Sequence, residues 1–408
     1  MPPRRSPGDG TIYQRPDGRW VAQLEVGVPS GTRRRRTIYG RTRAEVARKL
    51  AEAQRARAAG DTTTSSVRLD AWLTYWLDQI AAPRLKPQTL RAYQSVITHY
   101  IVPSIGTVRL DKLTPAHVRR VHAHVESLGL SPTTAHHAHR VLSAALTDAV
   151  REGRVQRAVT QLVPAPRMAP PTRRALTADE ATAVLRAADG DRLASLWMAA
   201  LLSGARLGEL LGLRWAHVNL DVGVVDLAWA LQRVPWAHGC PGCGRTPARC
   251  PSRRVMIPRG MEYVQLGDSG QCLLRPKTSG SRRIVPLAAP LRQALSLRAM
   301  EAAEERTHMY DIDMDLVWCQ PTGRPVDSRA AWRAWSDLLA RAGVEHRTFH
   351  EARHTTATLL LEAGVPTEVI SAILGHSEAV TTGRYMHVTD TLARAALDGV
   401  GQRLAIGG

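Results

Sequence analysis

The sequence predicts a multidomain α+β protein built from a small β-sheet with one helix, an all-α domain and a mixed, mainly helical domain. Two observations predict this architecture. Hydrophobic residues alternate near the N-terminus, then take helical spacing, and both patterns occur together after about residue 175. Polar and proline-rich linkers, at 61–66 and about 163–174, separate the three parts. The length of 408 residues agrees, since it suffices for roughly two to four domains.

The composition favours a polyanionic partner. The chain carries 55 Lys and Arg against 36 Asp and Glu, a formal net charge of +19, and such an excess favours nucleic acid. A hydrophobic fraction of 44% excludes disorder throughout the chain. No uncharged apolar run approaches the ~18 residues of a membrane span, and the N-terminus lacks the apolar stretch of a secretory signal. We therefore expect no membrane partner, and the five cysteines, too few for a disulfide scaffold in a chain of this length, favour the reducing cytoplasm.

The first predicted domain covers residues 1–62 and combines three strands with a helix. Alternating apolar residues flank a Pro-Asp-Gly turn at 16–18, which is a hairpin signal. Helical spacing follows over 41–60. A strand face of such a sheet can enter the major groove while arginines contact phosphates. A solvated basic face is the alternative for the four candidate residues, which are Arg33, Arg34, Arg35 and Arg36.

The second predicted domain covers residues 67–162 and is all-α. Leu69, Trp72 and Trp76 belong to one apolar stripe, as expected of an amphipathic helix. Prolines stand at several helix starts, and Pro or Gly follows the ends, which indicates four or five helices. Their exposed faces are basic and rich in histidine. The candidate DNA contacts on these faces are Lys86, Arg91 and Arg140.

The third predicted domain covers residues 175–408 and contains four segments that could carry chemistry. Arg206 precedes a helix in SGARLGELLGLRW, where it could simply pair with Glu209. Lys277, in PKTSGSRRIVPL, is the only lysine after Lys112. Lysine can release a proton when its pKa is lowered, whereas arginine stays charged. A site that needs a proton donor therefore has a reason to keep lysine.

The other two segments lie near the C-terminus. In HEARHTTATLLLEAG, His350, Arg353 and His354 share a helix face. The same residues match H-E-x-x-H, the zinc-peptidase helix, but the third histidine of the longer zinc-peptidase motif does not follow. In LGHSEAVTTGRYMH, a helix ending at glycine is followed by His376 and then by Tyr385.

Together, in their order and spacing, these four segments resemble the motifs of tyrosine recombinases, the phage-type integrases. The resemblance implies that 1–62 is an arm-type DNA-binding domain, 67–162 a core-binding domain and 175–408 a catalytic domain of tyrosine recombinase type. The implied activity is site-specific DNA breaking and rejoining through a 3′-phosphotyrosyl intermediate and a Holliday junction. It would integrate, and also excise, a phage genome or another mobile element, without metal or ATP.

The resemblance also implies roles for individual residues. Tyr385 would be the nucleophile, and Lys277 would protonate the leaving 5′-oxygen. His350 would act as general base or proton shuttle, and His376 would donate to the phosphate. Two arginines would bind the non-bridging oxygens. The implied catalytic set is Arg206, Lys277, His350, Arg353, His376 and Tyr385, supported by Glu209 and His354.

The implied partners are double-stranded attachment-site DNA and three further copies of the chain, with a directionality factor or a host DNA-bending protein. The location would be the bacterial cytoplasm, at the nucleoid when bound to DNA. The tail 386–408 would dock on a neighbouring protomer, so that deleting 391–408 would impair synapsis but not folding. The competing functions are a type IB topoisomerase, which relaxes any DNA, and a regulator that binds DNA without covalent capture.

A cysteine-rich insertion at about 236–254 lies outside the motifs of the family. Its C-x2-C spacing suits zinc, with His238 or Cys272 as the fourth ligand. Structural zinc, reduced thiols and disulfides all remain open from the sequence. The candidate ligands are His238, Cys240, Cys243 and Cys250.

Overall fold

The computed structural model forms two compact units, Met1–Pro170 and Pro171–Gly408. It describes residues 11–27, 33–58, 67–168, 174–240, 242–258, 260–275, 282–307, 314–375 and 386–404. No helix in these ranges is both long and apolar enough to cross a membrane. The mixed α+β class predicted from the sequence is confirmed.

The first unit begins with the predicted sheet and helix. Three antiparallel strands in the order β1-β2-β3 are followed by one helix, with Gly18 at positive φ in the first hairpin turn. Ala22 of the sheet and Val46 and Leu50 of the helix form a small apolar core. The bounds are β1 Thr11–Gln14, β2 Trp20–Gly27, β3 Arg33–Gly40 and α1 Arg43–Ala58. The four candidate arginines are the first residues of β3.

The remainder of the first unit is helical, and its core depends on two buried tryptophans. The indole of Trp72 donates to the carbonyl of Ala145, and that of Trp76 donates to Asp148 Oδ2. Both belong to the stripe predicted from the sequence. The helices are α2 Leu69–Tyr75 with a π-helical extension Trp76–Ala81, α3 Pro87–Val96 with a π-helical extension Ile97–Ile101, α4 Val102–Ile105, α5 Pro115–Ser127 and α6 Pro132–Arg151. Short 3-10 turns cover Leu110–Lys112 and Val159–Leu162.

The second unit packs helices around α8, of which nearly every residue is buried. Trp197 of this helix contacts Trp335 and Phe349 of two others. The helices are α7 Ala178–Ala187, α8 Ala194–Ser203, α9 Leu207–Leu211, α10 Ala289–Thr307, α11 Ser328–Arg341, α12 Phe349–Glu362, α13 Thr367–Leu374 and α14 Met386–Arg403. A capping box formed by Thr177 and Glu180 opens α7.

Short antiparallel strands complete the second unit. One sheet has the order β11-β5-β4 and another the order β6-β10-β9, while β7 and β8 form a two-stranded ribbon. The strands are β4 Val218–Asn219, β5 Val224–Asp226, β6 Ala230–Arg233, β7 Trp236–Ala237, β8 Arg254–Val255, β9 Tyr263–Leu266, β10 Gln271–Leu274 and β11 Ile284–Pro286. Short 3-10 turns cover Trp215–His217 and Pro247–Arg249.

The C-terminal helix α14 corrects one expectation from the sequence. Leu397, Val400 and Leu404 are at most 1% exposed and belong to the core of their own unit. Asp398 also accepts a hydrogen bond from the backbone of Ala289. The prediction that residues 391–408 are dispensable for folding is therefore wrong, because part of this segment completes the core.

Candidate active site

Arg206 lies at a sharp turn between two helices. Helix α8 ends at Gly204, whose φ of +59° is left-handed, and α9 begins directly after Arg206. The Arg206 guanidinium donates to Glu209 Oε1 over 2.7 Å, and its backbone N–H donates to Oε2 over 2.9 Å. The pairing with Glu209 considered from the sequence is therefore present. It leaves the Arg206 side chain 42% exposed, so the guanidinium can still reach a ligand.

Arg353, on α12, is buried and joins the ends of two other helices. Its Nη1 donates to the carbonyl of Gly204 over 2.8 Å, and its Nη2 donates to the carbonyl of Leu374 over 2.5 Å. The left-handed φ at Gly204 favours glycine, and a Cβ added there would lie 2.5 Å from Leu374 Cδ2 and would displace that side chain. The close contact between α8 and α13 thus holds Arg353 in one orientation.

Glu209 pairs with a second arginine that the sequence motifs did not single out. Arg283 donates from Nη2 to Glu209 Oε2 over 3.0 Å and from Nη1 to Oε1 over 3.3 Å. Both side chains are buried, at 6% and 3% exposure. The sequence contained one indication that Arg283 points inward, because residues two apart on a strand share a face. Val285 is a core position, which places Arg283 on the inward side of the same chain segment.

The charges of Arg206, Glu209, Arg283 and Arg353 together favour the binding of an anion. The guanidinium groups of Arg206, Arg283 and Arg353 all lie within electrostatic range of one carboxylate, that of Glu209. Burial alone would raise the pKa of Glu209, but the charges and hydrogen bonds of Arg283 and Arg206 hold it below its usual range. Burial lowers the pKa of Arg353 to about 9, and the two neighbouring guanidinium charges act in the same direction. Arg353 is therefore charged at neutral pH and would be stabilised by an added anion.

A cavity of about 280 Å³ lies directly beside this group. His350 contributes an exposed imidazole to its wall, and the rings of His350 and His354 meet edge to face with centroids 5.0 Å apart. Trp332, which no sequence motif indicated, contributes a second exposed ring and is 44% exposed. The cavity is lined by Ala205, Arg206, Leu207, Trp332, Thr348, Phe349, His350 and Arg353.

The H-E-x-x-H match is explained by helix capping. Glu351 is buried, and its carboxylate accepts a hydrogen bond from the backbone of Thr348, which completes a capping box at the start of α12. A zinc peptidase needs this carboxylate as a base that faces the metal-bound water. The use of Glu351 as a cap therefore argues against a peptidase.

Three predicted catalytic residues, Lys277, His376 and Tyr385, lie outside the described residues. Their neighbours in the chain are described. Lys277 lies between β10 and β11, and α13 ends at Gly375, directly before His376. Helix α14 begins one residue after Tyr385.

The predicted DNA contacts of the helical domain lie on or beside two helices that pack together, α3 and α6. Lys86 directly precedes α3 and is partly exposed, while Arg91 is exposed on α3. Arg140 is exposed on α6 and lines a cavity of about 520 Å³ together with Arg84 and Arg151. These positions remain predicted DNA contacts.

The cysteine-rich insertion gathers four candidate metal ligands at the ends of β7 and β8. One ligand atom from each of the four residues lies within 4.8 Å of all the others. The Sγ atoms of Cys240 and Cys250 are 3.4 Å apart, far beyond a disulfide bond of about 2.05 Å. His238 Nδ1 is 3.7 Å from Cys243 Sγ. The structure therefore favours His238 over Cys272 as the fourth ligand.

Cys272 lies in a different environment. It is fully buried in an apolar cluster with Val234, Val255 and Leu274. Burial raises the pKa of its thiol to about 11. A metal needs the thiolate, so this side chain suits packing rather than ligation.

Two parts of the chain match known families. Residues 260–391 match the phage integrase family, and residues 69–124 match the N-terminal SAM-like domain of phage integrases.

Several curated proteins are similar over most of this chain. An integrase of Saccharopolyspora erythraea is 29% identical, with 97% of this chain and 96% of the relative covered. An integrase of Streptomyces ambofaciens is 30% identical, with coverages of 94% and 92%. A XerC-like tyrosine recombinase of Caldanaerobacter subterraneus is 24% identical, with coverages of 87% and 88%.

Solved structures show the same fold. An integrase of the transposon Tn1549, in complex with a circular intermediate DNA, aligns with a TM-score of 0.60 at 16% identity and covers 81% of this chain and 100% of the solved chain. A lambda integrase tetramer bound to a Holliday junction aligns with a TM-score of 0.53 at 18% identity, with coverages of 93% and 99%.

Proposed function

The chain belongs to the phage integrase family and is a site-specific tyrosine recombinase, and on this premise we propose that Tyr385 is the residue to which it transfers DNA strands. The observation that carries the proposal is the cavity lined by both Arg206 and Arg353. Two guanidinium groups at one cavity suit the non-bridging oxygens of a phosphodiester. Three guanidinium groups around one carboxylate carry a net positive charge. A pentacoordinate phosphorane carries more negative charge than the phosphodiester, so this net charge would stabilise the phosphorane.

The first chemical step forms one bond and breaks another at the same phosphorus. The Tyr385 oxygen attacks the phosphodiester, the bond to the 5′-oxygen breaks, and the strand remains as a 3′-phosphotyrosyl ester. His350, in the cavity wall, accepts the phenol proton. Lys277 gives a proton to the leaving 5′-oxygen. In the second step, a 5′-hydroxyl of the partner duplex attacks the phosphorus and gives its proton to Lys277, while the bond to the Tyr385 oxygen breaks and the phenolate takes its proton back from His350.

The other predicted site residues support this chemistry. Arg206 and Arg353 bind the phosphoryl oxygens throughout, and His376 donates to the same group. Glu209 fixes Arg206 through two hydrogen bonds. His354 supports His350 by packing against its ring.

We further propose the division of labour that the sequence predicts. Residues 1–62 would bind arm-type DNA sites, 67–162 the core site and 175–408 the scissile phosphate. The match of 69–124 to a SAM-like integrase domain supports the middle assignment. Four protomers would act on two attachment sites through a Holliday junction in the bacterial cytoplasm, as the similarity to the lambda integrase tetramer suggests. A directionality factor or a DNA-bending protein would select integration or excision of the mobile element.

A nicked DNA that carries the attachment site tests the chemistry, since the nick lets a short fragment diffuse away and traps the covalent complex. The wild-type protein is expected to form an adduct that resists EDTA and denaturation. Tyr385→Phe is expected to bind the same DNA without an adduct. A wild-type protein that forms no adduct on its attachment-site DNA would overturn the proposal. Relaxation of plasmids without the site would indicate a topoisomerase instead.

For the insertion, we propose a structural zinc ion held by His238, Cys240, Cys243 and Cys250. Tetrahedral zinc with Zn–S bonds of about 2.3 Å places its ligand atoms roughly 3.7 Å apart. The distances of 3.4 and 3.7 Å between ligand atoms are close to this value. Three thiolates and one imidazole form a closed set, which suits a structural site rather than a catalytic one. Bound zinc would tie the loop between β7 and β8 together.

Metal analysis of protein purified without chelator tests the zinc site. One zinc per chain is expected in the wild type, and Cys243→Ser should lose it. Cys272→Ser is the matched control, because this thiol lies outside the group, and it should retain the metal. A wild-type protein with well under one zinc per chain contradicts the assignment.

A further inference from the structure

Arg283 connects three segments that carry predicted catalytic residues. Through two hydrogen bonds to Glu209 it reaches the carboxylate that also binds Arg206. Its Nε donates to the carbonyl of Ile373 over 2.7 Å, in the last turn of α13 and three residues before His376. Its own segment leads directly into β11, the first described strand after Lys277 in the chain.

We propose that Arg283 is a positioning residue for strand cleavage, which holds these three segments at fixed distances from the scissile phosphate. This inference rests on the proposed function of the cavity and extends it. The Arg283 side chain is only 6% exposed and does not line the cavity, so it acts through Glu209 and α13 rather than by touching DNA. The backbone at Arg283 is also held in place, because its carbonyl accepts a hydrogen bond from the N–H of Leu227, next to β5.

The contacts require an arginine. Its planar guanidinium can face both oxygens of a carboxylate while Nε donates to a third acceptor. A lysine at this position has a single nitrogen and could not reach Glu209 and Ile373 with the same geometry. The proposal therefore predicts that Arg283→Lys keeps the charge but loses much of the function.

The glycine before His376 completes the contact. Gly375 has a φ of +68°, and a Cβ added there would lie 2.9 Å from Arg283 Cδ and 3.0 Å from its Nη1. The backbone at the end of α13 thus packs directly on the guanidinium. A side chain at Gly375 would displace Arg283 without removing any charge.

The loss of Arg283 should affect the chemical step and not DNA affinity. Arg283→Met leaves Glu209 paired with Arg206 alone and releases the end of α13. Misplacement of catalytic groups by about 1 Å can slow a reaction on the order of a hundredfold. We expect the single-turnover cleavage rate of nicked site DNA at saturation to fall by about this factor. The Kd for the same DNA should change by less than about threefold, because Arg283 is buried away from it.

The experiment compares Arg283→Met, Arg283→Lys and Gly375→Ala with the wild type in cleavage rate, Kd and Tm. Arg282→Met is the matched control, since this neighbouring arginine is exposed and pairs with Asp226, and its rate at saturating DNA should not change. If Arg283→Met does not fold, Arg283→Lys and Gly375→Ala, which keep the buried charge, still decide the question. A folded Arg283 variant that cleaves at the wild-type rate overturns the proposal, and so does one whose Kd weakens as much as its rate falls.

The double variant Arg283→Met with Glu209→Gln separates positioning from simple stability. Arg283→Met leaves the buried Glu209 carboxylate with one guanidinium partner in place of two, whereas Glu209→Gln removes that partly compensated charge. We expect the double variant to recover Tm but not the cleavage rate. Recovery of both would show a merely structural ion pair and overturn the inference. Because the wild-type adduct is measured in parallel, failure of this proposal is distinguishable from failure of the recombinase chemistry.

Discussion

The second unit, Pro171–Gly408, contains two polar clusters that are built in opposite ways. The arginine cluster, Arg206, Glu209, Arg283 and Arg353, collects residues far apart in sequence and rests on the largest apolar core of the described chain. The cysteine cluster, His238, Cys240, Cys243 and Cys250, lies within one short insertion. Beside it lies only a small apolar group, Val234, Val255, Cys272 and Leu274.

The two clusters are held in place by different interactions. In the arginine cluster, a large core fixes the backbone, and packing and carbonyl groups hold the charged side chains in place. The cluster can therefore carry a net positive charge that is available to a substrate. Where little apolar surface is buried, the local fold needs a cross-link, and a metal can supply it. The arginine cluster is therefore expected to depend on core packing and the cysteine cluster on metal.

The largest expected effect is on catalysis, at Arg353. Arg353→Met should lower the cleavage rate of nicked site DNA by about a thousandfold, because one donor to the phosphoryl oxygens is lost. It should also lower the Tm, since two carbonyl groups lose their buried donor. Arg206→Met should lower the rate similarly with a smaller change in Tm, because its side chain is 42% exposed. Equal effects on Tm would break the distinction between the buried and the exposed arginine.

The second prediction concerns the core under the arginine cluster. Helix α14 packs against both β11 and α13, which flank Arg283. Leu397 on α14 is fully buried, so Leu397→Ala should cost about 3 kcal/mol of unfolding free energy. Leu392→Ala is the control, since that side chain is 48% exposed and should change stability little. Denaturant unfolding measures both variants. The zinc content should remain unchanged in both variants. Loss of metal in Leu397→Ala would show that the cysteine cluster is not independent of the core under the arginine cluster.

The third prediction concerns metal removal. A chelator should raise amide hydrogen exchange in residues 238–255 by about tenfold or more, because the loop loses its cross-link. Exchange in α9 and α12, which carry Glu209 and Arg353, should stay near its original rate. Covalent cleavage of site DNA should continue in the chelated protein. Faster exchange in α9 and α12 would show that the two clusters are coupled.

The smallest expected effect is on pH dependence. The pKa of Glu209 is held below its ordinary value of 4.5, so its ionised form stabilises the fold. That contribution is complete above about pH 4.5 and is lost as pH falls through the lowered pKa. The Tm of the wild type should therefore fall more steeply than that of Glu209→Gln between pH 5 and about pH 3. Parallel curves for the two proteins would contradict the assigned direction.

The sequence predicted those parts of the site that local patterns determine. Arg206 and Glu209 share a capping box, and Arg353 and His350 share one helix, so their spacing alone brings each pair together. Arg283 was missed because its partners lie on α9 and α13, and no local pattern records such contacts. The role of the tail was misjudged for the same reason, since the burial of Leu397 depends on how α14 packs. The choice of His238 over Cys272 also required the tertiary structure.

The two carbonyl groups that accept hydrogen bonds from Arg353 have a further consequence. Leu374 is the last residue of α13, where the peptide dipoles leave about half a negative charge, and Gly204 is the left-handed residue that caps α8. The two carbonyl groups together offset part of the guanidinium charge, yet they are fixed in the backbone and cannot take up a proton at acidic pH. The direct partners of this guanidinium are therefore backbone carbonyls, and Glu209 acts on it only through longer-range electrostatics. The helix ends thus act as a permanent, non-titrating counterion for the arginine.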